Sequence, residues 1–267
     1  MTIHEYGTDH SKVILLVHPS VVMWDYFEYV IPLLKDKVHL LIPALPGYDE
    51  DHPNEDFTSV EAIADELVKW LKAHHIQTID LLYGCSMGGS VVLKMLAAQK
   101  ITIRSAVCDG GITPYQLPWL VTRLIAVKDF LMIAMGKAGG LGLLEKAFST
   151  DEYGKDDLQY IAKVLHFMSY RTIWRTFESC NNYHMSDPMP AYHGQLQYWY
   201  GDKECKERTS DIAYIQRHFP NAELIRLESM GHAGMATLHP QTMVSRFEAL
   251  LNGEKCLCWL ENFNFLR

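Results

Sequence analysis

Gly84-Cys85-Ser86-Met87-Gly88 is the segment of this sequence whose residue types and spacing most directly imply chemistry. It fits G-x-S-x-G, in which a serine hydroxyl is presented on a turn too tight for side chains at the flanking positions. A serine so placed attacks a carbonyl carbon if a base takes its proton, a carboxylate orients the base, and backbone N–H groups receive the charge developing on oxygen. By average residue usage the pattern arises by chance in about one chain of this length in fifteen, so its surroundings must decide. Thr78 to Tyr83 has the composition of a strand, and residues 87–99 that of a helix apolar on most sides. That is the strand–turn–helix context a nucleophile elbow requires, and Gly89 extends the small-residue run that lets the helix lie close to the sheet.

The elements that must hold this turn follow from periodicity. Val13 to Val17 is a short β-branched run of the kind found in a strand covered on both faces. Residues 24–35 carry Phe27, Val30, Ile31 and Leu34 at helical spacing, and Val38 to Ile42 reads as the next strand. Thr58-Ser-Val-Glu61 predicts a capping box, followed by one apolar face of Val60, Ile63, Ala64, Leu67, Val68 and Leu71. Ile101 to Cys108 is again a strand. Residues 112–194 then show helical periodicity, including Leu158, Ile161, Leu165 and Met168, with no convincing buried strand. Alternation returns with a strand at 196–200, a helix near 207–219, a strand at 223–227, and a last helix from Pro240 to the Asn252-Gly253 stop signal. The expected fold is α/β, a mostly parallel sheet with helices on both faces. Residues 1–111 and 195–267 form its core, 112–194 a helical insertion, and 254–267 an apolar tail.

With these motifs in order the chain resembles the α/β-hydrolase superfamily, in particular its serine-nucleophile members with a helical cap. The resemblance covers about residues 11–252. It rests on His18-Pro19-Ser20 where the family has His-Gly, on Leu45-Pro46-Gly47-Tyr48, on the elbow at Ser86, and on Gly231-His232 after the last core strand. It implies Ser86 as nucleophile and His232 as its base, the latter in a Gly231-His232-Ala233-Gly234 loop. It also implies an acid on the Gly201-Asp202-Lys203-Glu204 loop, three residues past the glycine at Glu204, with Asp202 the alternative and Asp109 a third candidate. The oxyanion hole falls to the N–H groups of Met87 and Ser20, since Pro19 has none. The insertion would lie over Ser86 as a lid. Tyr115, Trp119, Phe130, Met132, Trp174 and Tyr183, with Met23 and Trp24 from the first loop, are its candidate lining, and they suit a small apolar or aromatic acyl group.

Composition removes other classes. With 24 basic against 32 acidic residues the net charge is −8, and no basic run offers a footprint for nucleic acid or anionic lipid. The N-terminus lacks the pattern of a signal peptide, and no apolar stretch is long enough to span a membrane. Six scattered cysteines fit neither a disulfide framework nor a zinc ribbon, so a reduced, cytoplasmic protein is expected. The acidic Asp49-Glu-Asp51 loop is interrupted by Pro53 and is no calcium loop, and Cys256-x-Cys258 is too isolated for a metal. Gly136 to Gly142 lacks dinucleotide-binding spacing, and no cofactor is expected. The expected partner is a small-molecule substrate, with the cap and the tail as candidate surfaces for self-association. Carboxylic ester hydrolysis through an acyl-enzyme is the first functional expectation. C–C bond hydrolysis or acyl transfer by the same residues, and a non-catalytic small-molecule receptor, are the rivals.

Overall fold

The structure is a computed structural model and describes residues 1–114, 117–147 and 155–253. Seven strands, β1 (Thr2–Tyr6), β2 (Val13–Val17), β3 (His39–Ala44), β4 (Thr78–Cys85), β5 (Thr102–Asp109), β6 (Gln195–Gly201) and β7 (Glu223–Leu227), make one sheet in the order β1-β3-β2-β4-β5-β6-β7. Strands β2 to β7 pair in parallel, and β1 joins β3 antiparallel at one edge. The continuous apolar run of β2 serves two cores. Val13, Leu15 and Val17 face the side covered by α2 (Val60–Ala73) and α3 (Met87–Ala98). Ile14 and Leu16 face α1 (Ile31–Leu34), α8 (Met235–Leu238) and α9 (Pro240–Leu251). A strand buried on both sides has no polar face, which is why it reads as unbroken Val-Ile-Leu-Leu-Val.

Among the described residues, the segment between β5 and β6 forms α4 (Trp119–Ala147), which is kinked at a non-helical Gly140 (φ 59°, ψ −157°), α5 (Lys155–Phe167) and α6 (Tyr170–Asn182); α7 (Thr209–His218) connects β6 to β7. Buried Leu158, Leu165, Met168, Ile173 and Tyr183 of this segment belong to the same apolar cluster as α2 and α3. Side chains of α5 and α6 also reach the loops of the sheet. The Val60 N–H donates to Ser179 Oγ, the Phe57 N–H to Thr172 Oγ1 and the Met23 N–H to the Tyr160 hydroxyl, while Tyr48 Oη and Thr176 Oγ1 share a 2.7 Å hydrogen bond.

Four local expectations change. Residues 24–35 split into a 3₁₀ turn, Trp24–Phe27, and the short α1. Pro32 has no N–H to offer the carbonyl four residues back, so a continuous helix fails there. The cap of α2 is Ser59, whose hydroxyl accepts from Ala62 N; no box forms from Thr58, and Glu61 instead accepts the His184 N–H. Strand β3 runs on through Pro43, which is tolerated because the pairing of β3 with β2 ends at Leu41. Strand β1 was not expected, because a half-exposed edge strand with His4 and Glu5 shows no apolar run.

Candidate active site

Ser86 stands between β4 and α3 with φ 52° and ψ −114°. For a residue with a Cβ this is a costly conformation, of the order of 1–3 kcal/mol, and the surroundings must impose it. Two close approaches do so. A Cβ on Gly84 would lie 2.2 Å from the Gly88 carbonyl oxygen, and one on Gly88 would lie 2.2 Å from that of Val17. Hydrogen bonds then fix the turn, from Ser86 N to Asp109 O (2.8 Å) and from Ile112 N to Ser86 O (3.4 Å).

Strain elsewhere follows a pattern. Among the described residues, six non-glycine residues have positive φ: Val21, His75, Ser86, Gln99, Ser229 and Ala233. His75 and Gln99 lie at the ends of α2 and α3, an ordinary place for a left-handed residue. The other four all lie on loops leaving the C-terminal ends of β2, β4 and β7. Val21 is the sharpest case, since a β-branched residue is rarely left-handed.

His232 and Glu204 meet on this same edge. Glu204 ends a 3₁₀ turn, Asp202–Glu204, directly after β6. Its Oε2 lies 2.7 Å from His232 Nδ1, and its Oε1 accepts the Gly201 N–H at 3.2 Å. The pair packs on Gly110, where a Cβ would come within 2.9 Å of His232 Nδ1 and 3.2 Å of Glu204 Oε1. Gly110 directly follows Asp109, whose carbonyl accepts the Ser86 N–H, and against it pack Glu204, from the turn after β6, and His232, from the loop after β7. Burial works to raise the Glu204 carboxyl, but the His232 hydrogen bond and charge, aided by Arg208 and the Gly201 amide, outweigh it and hold the group below its ordinary value.

The other two carboxylates have different partners. Asp202 Oδ2 accepts the Ser229 N–H at 3.0 Å and so pins the loop after β7. Asp109 is fully buried and accepts the Tyr83 hydroxyl at 2.6 Å. Burial raises its carboxyl to about 6, against the pull of the Tyr83 hydroxyl.

Met87 opens α3, so its N–H is among those a helix leaves without an internal partner. Ser20 lies on the loop after β2, next to the strained Val21. His18, on the same loop, is fully buried with Nδ1 2.8 Å from Pro19 O, and burial lowers it to about 4, which leaves it neutral at pH 7. Met23 is buried, and Trp24 stacks on His4 with centroids 3.7 Å apart. Trp119 is exposed at the start of α4 with the Arg123 guanidinium over its ring, and Met132 is exposed further along. Phe130 and Trp174 pack on each other, and Tyr183 is buried with its hydroxyl on Ile112 O. Tyr115 and the tail 254–267 lie outside the described residues. No group of His, Cys, Asp or Glu among the described residues could hold a metal.

Sequence reasoning missed Arg208. Its Nε lies 3.4 Å from Glu204 Oε2 and its Nη1 3.1 Å from Asp211 Oδ2, and Nη1 also donates to the Gly110 carbonyl at 3.2 Å. Asp211 in turn accepts both the amide and the hydroxyl of Thr113, where the chain leaves the sheet for α4. The signal was the glutamate four residues before an arginine, the favourable order for an i,i+4 pair.

Known proteins share this architecture. A protein from Desulfitobacterium hafniense described as of the alpha/beta hydrolase family is similar at a TM-score of 0.74 and 22% identity, with 94% of this chain and 100% of that one covered. A thermophilic esterase from Thermogutta terrifontis is similar at 0.73 and 15%, covering 94% and 93%. A carboxylesterase of Nitrososphaera gargenis is similar at 0.73 and 16%, covering 94% and 95%. At such identities the likeness is one of fold. No curated protein matches the chain. Residues 14–246, from β2 into α9, match the profile described as Alpha/beta hydrolase family, and with a seven-stranded sheet of this order beneath the Ser86 turn the chain belongs to that family.

Proposed function

We propose that this protein is a serine hydrolase of carboxylic esters that works through an acyl-enzyme. The observation that carries the reading is the 2.7 Å contact between Glu204 Oε2 and His232 Nδ1, seated on Gly110 beside the strained Ser86. With Nδ1–H given to Glu204, Nε2 is the nitrogen left to take the Ser86 proton. Oγ then bonds to the ester carbonyl carbon, and the oxyanion is received by the N–H groups of Met87 and Ser20. Collapse releases the alcohol, protonated by His232, and a water activated by the same imidazole hydrolyses the acyl-Ser86 ester. Glu204 holds the imidazole tautomer and stabilises the imidazolium. The helices of 112–194 act as a lid, and the acyl group is small and apolar or aromatic. That two of the similar proteins are named esterases supports this choice among the uses of the fold.

The test is labelling with a fluorophosphonate probe, run with a p-nitrophenyl ester series. Labelling and turnover that both vanish in Ser86→Ala are the expected result. A folded wild-type protein that neither labels nor turns over any ester, but binds small apolar ligands, would replace the enzyme reading with that of a receptor.

A further inference from the structure

We propose that Tyr26 is a positioning residue for His232, holding the backbone that carries the imidazole through a hydrogen bond from its hydroxyl to the Ala233 carbonyl. The inference rests on the reading of Ser86, His232 and Glu204 as the reacting set, and adds to it a residue from the loop after β2.

His232 stands between two non-glycine residues with left-handed backbone, Ser229 (φ 58°) and Ala233 (φ 60°). Each conformation costs free energy and persists only where its surroundings hold it. The arm before His232 is held from the β6 loop, where Asp202 Oδ2 accepts the Ser229 N–H at 3.0 Å and the Lys203 N–H donates to the Met230 carbonyl at 3.2 Å. The arm after it is held from the loop after β2, where the Tyr26 hydroxyl donates to the Ala233 carbonyl at 2.6 Å. Ala233 and Gly234 join His232 to α8, whose Met235 and Ala236 are buried in the same apolar cluster as the Tyr26 ring.

Tyr26 is fitted for this duty. It lies in the 3₁₀ turn Trp24–Phe27, on the loop that also carries Ser20, and it is buried. Burial pushes its phenol well above the ordinary value, so the hydroxyl stays a donor at neutral and mildly alkaline pH. The Cys85 thiol lies within hydrogen-bond reach of both the Tyr26 and the Tyr83 hydroxyls, and Tyr83 donates to Asp109 Oδ2 at 2.6 Å. Asp109 is the residue whose carbonyl accepts the Ser86 N–H. One buried cluster thus reaches the backbone beside the nucleophile and the backbone beside the base. Tyr83 and Asp109 serve the Ser86 side, and Tyr26 serves the His232 side.

A part-buried carbonyl that loses its donor gains by turning towards another one. At Ala233 such a turn also relieves the left-handed φ, and that φ sets the direction of the peptide joining Ala233 to His232. The imidazole must meet Glu204 with Nδ1 and Ser86 with Nε2 at once, so a small displacement of its backbone is felt at the reacting atoms. Tyr26→Phe isolates the effect, because it keeps the ring among its neighbours and removes only the donor.

Tyr26→Phe should lower kcat for a p-nitrophenyl ester by about 10–100-fold with KM within about twofold, and should slow fluorophosphonate labelling by a similar factor. Tyr192→Phe is the control. The Tyr192 hydroxyl also donates to a backbone carbonyl, that of Ile103 at 3.2 Å, at the opposite end of β5 from Asp109. Its loss should leave kcat within about twofold of wild type. Ala233→Gly added to Tyr26→Phe should recover at least about threefold of the lost kcat, because glycine keeps the left-handed backbone without the hydrogen bond. The proposal is overturned by a kcat in Tyr26→Phe no lower than in Tyr192→Phe, by a loss confined to KM, or by no recovery with Ala233→Gly. The catalytic reading fails separately, through a folded wild type that neither labels nor turns over. In that event the nitrogen chemical shifts of the His232 ring decide, measured by NMR. One Nδ1–H tautomer in wild type and a mixture in Tyr26→Phe support the positioning role, and identical shifts in the two overturn it.

Discussion

Asp202 and Glu204 stand two residues apart on one loop, yet the 3₁₀ turn sends them to opposite duties. The shorter side chain folds back on Ser229 N and fastens a loop, while the longer one reaches His232. Glu204→Gln should therefore lower kcat/KM for a p-nitrophenyl ester by about 10²–10⁴-fold, because an amide no longer fixes the imidazole tautomer or balances the imidazolium. Asp202→Asn should stay within about threefold, since an amide oxygen still accepts from Ser229. Equal losses in the two variants would remove Glu204 from the role proposed for it. Asp109 is the third carboxylate, and its signature is thermodynamic. Its folded-state value of about 6 lies above the roughly 3.9 of an unfolded aspartate. The folded state thus holds the proton more tightly, and the stabilisation this gives is fully present below about pH 4 and is lost as pH rises through 6. The loss amounts to about 3 kcal/mol. Glu204, held low, runs the opposite way and loses stability as pH falls. The informative quantity is therefore the difference in urea-unfolding free energy between wild type and Asp109→Asn. It should shift in favour of Asp109→Asn between pH 4.5 and 7.5, and a pH-independent difference would mean that the buried carboxyl does not titrate there.

Among the elements, the approach of α3 to the strands is what creates the Ser86 turn, and glycine is its condition. Gly88→Ala would set a Cβ against the Val17 carbonyl, which belongs to the backbone of β2 and has no room to move. A loss of at least about 3 kcal/mol, or failure to accumulate as soluble protein, is expected on urea unfolding. Gly142→Ala is the contrasting case: on α4 with nothing within 4 Å of its Cβ position, it should be neutral or stabilise by up to about 1 kcal/mol. A second coupling between elements runs from α7 through Arg208 to the end of β5 and to Thr113. Arg208→Gln leaves Asp211 and Glu204 facing each other with less compensation, and a destabilisation of about 2–4 kcal/mol is expected. A change below 0.5 kcal/mol would show that the ion pair with Asp211 contributes nothing net.

For the whole molecule, two apolar cores lie on the two faces of the sheet, and the helices of 112–194 share one of them with α2 and α3. These helices are therefore anchored to the sheet by packing as well as by the hydrogen bonds that hold buried Thr113 to Asp211. The Tyr160 hydroxyl is their polar anchor to the first loop, accepting from Met23 N and donating to Asp25. Tyr160→Phe leaves the Met23 amide and the Asp25 carboxylate without this partner. A loss of about 1–2 kcal/mol in unfolding free energy is expected. If the lid reading holds, KM for the preferred ester should rise more than kcat falls, since the substitution loosens the covering of the site and leaves its reacting groups in place. A fall in kcat with KM unchanged would instead assign Tyr160 to the chemistry. Among the described residues no helix is long and apolar enough to cross a membrane.

By itself the sequence determined which segments become strands and helices around Ser86, because an unbroken apolar run and a 3.6-residue periodicity each report how a segment must be buried. It also determined the elbow, because only glycines admit that approach of backbone to backbone. It left open which carboxylate serves His232, since Asp202 and Glu204 are equivalent until a 3₁₀ turn gives them different directions. It hid β1, whose polar residues carry no burial signal, and Arg208, whose partners at Gly110 and Asp211 come from other elements. Above all it could not say that α4 presents an apolar face to solvent. Periodicity records that a side chain prefers burial, whereas the partner that buries it is decided only when the elements are packed.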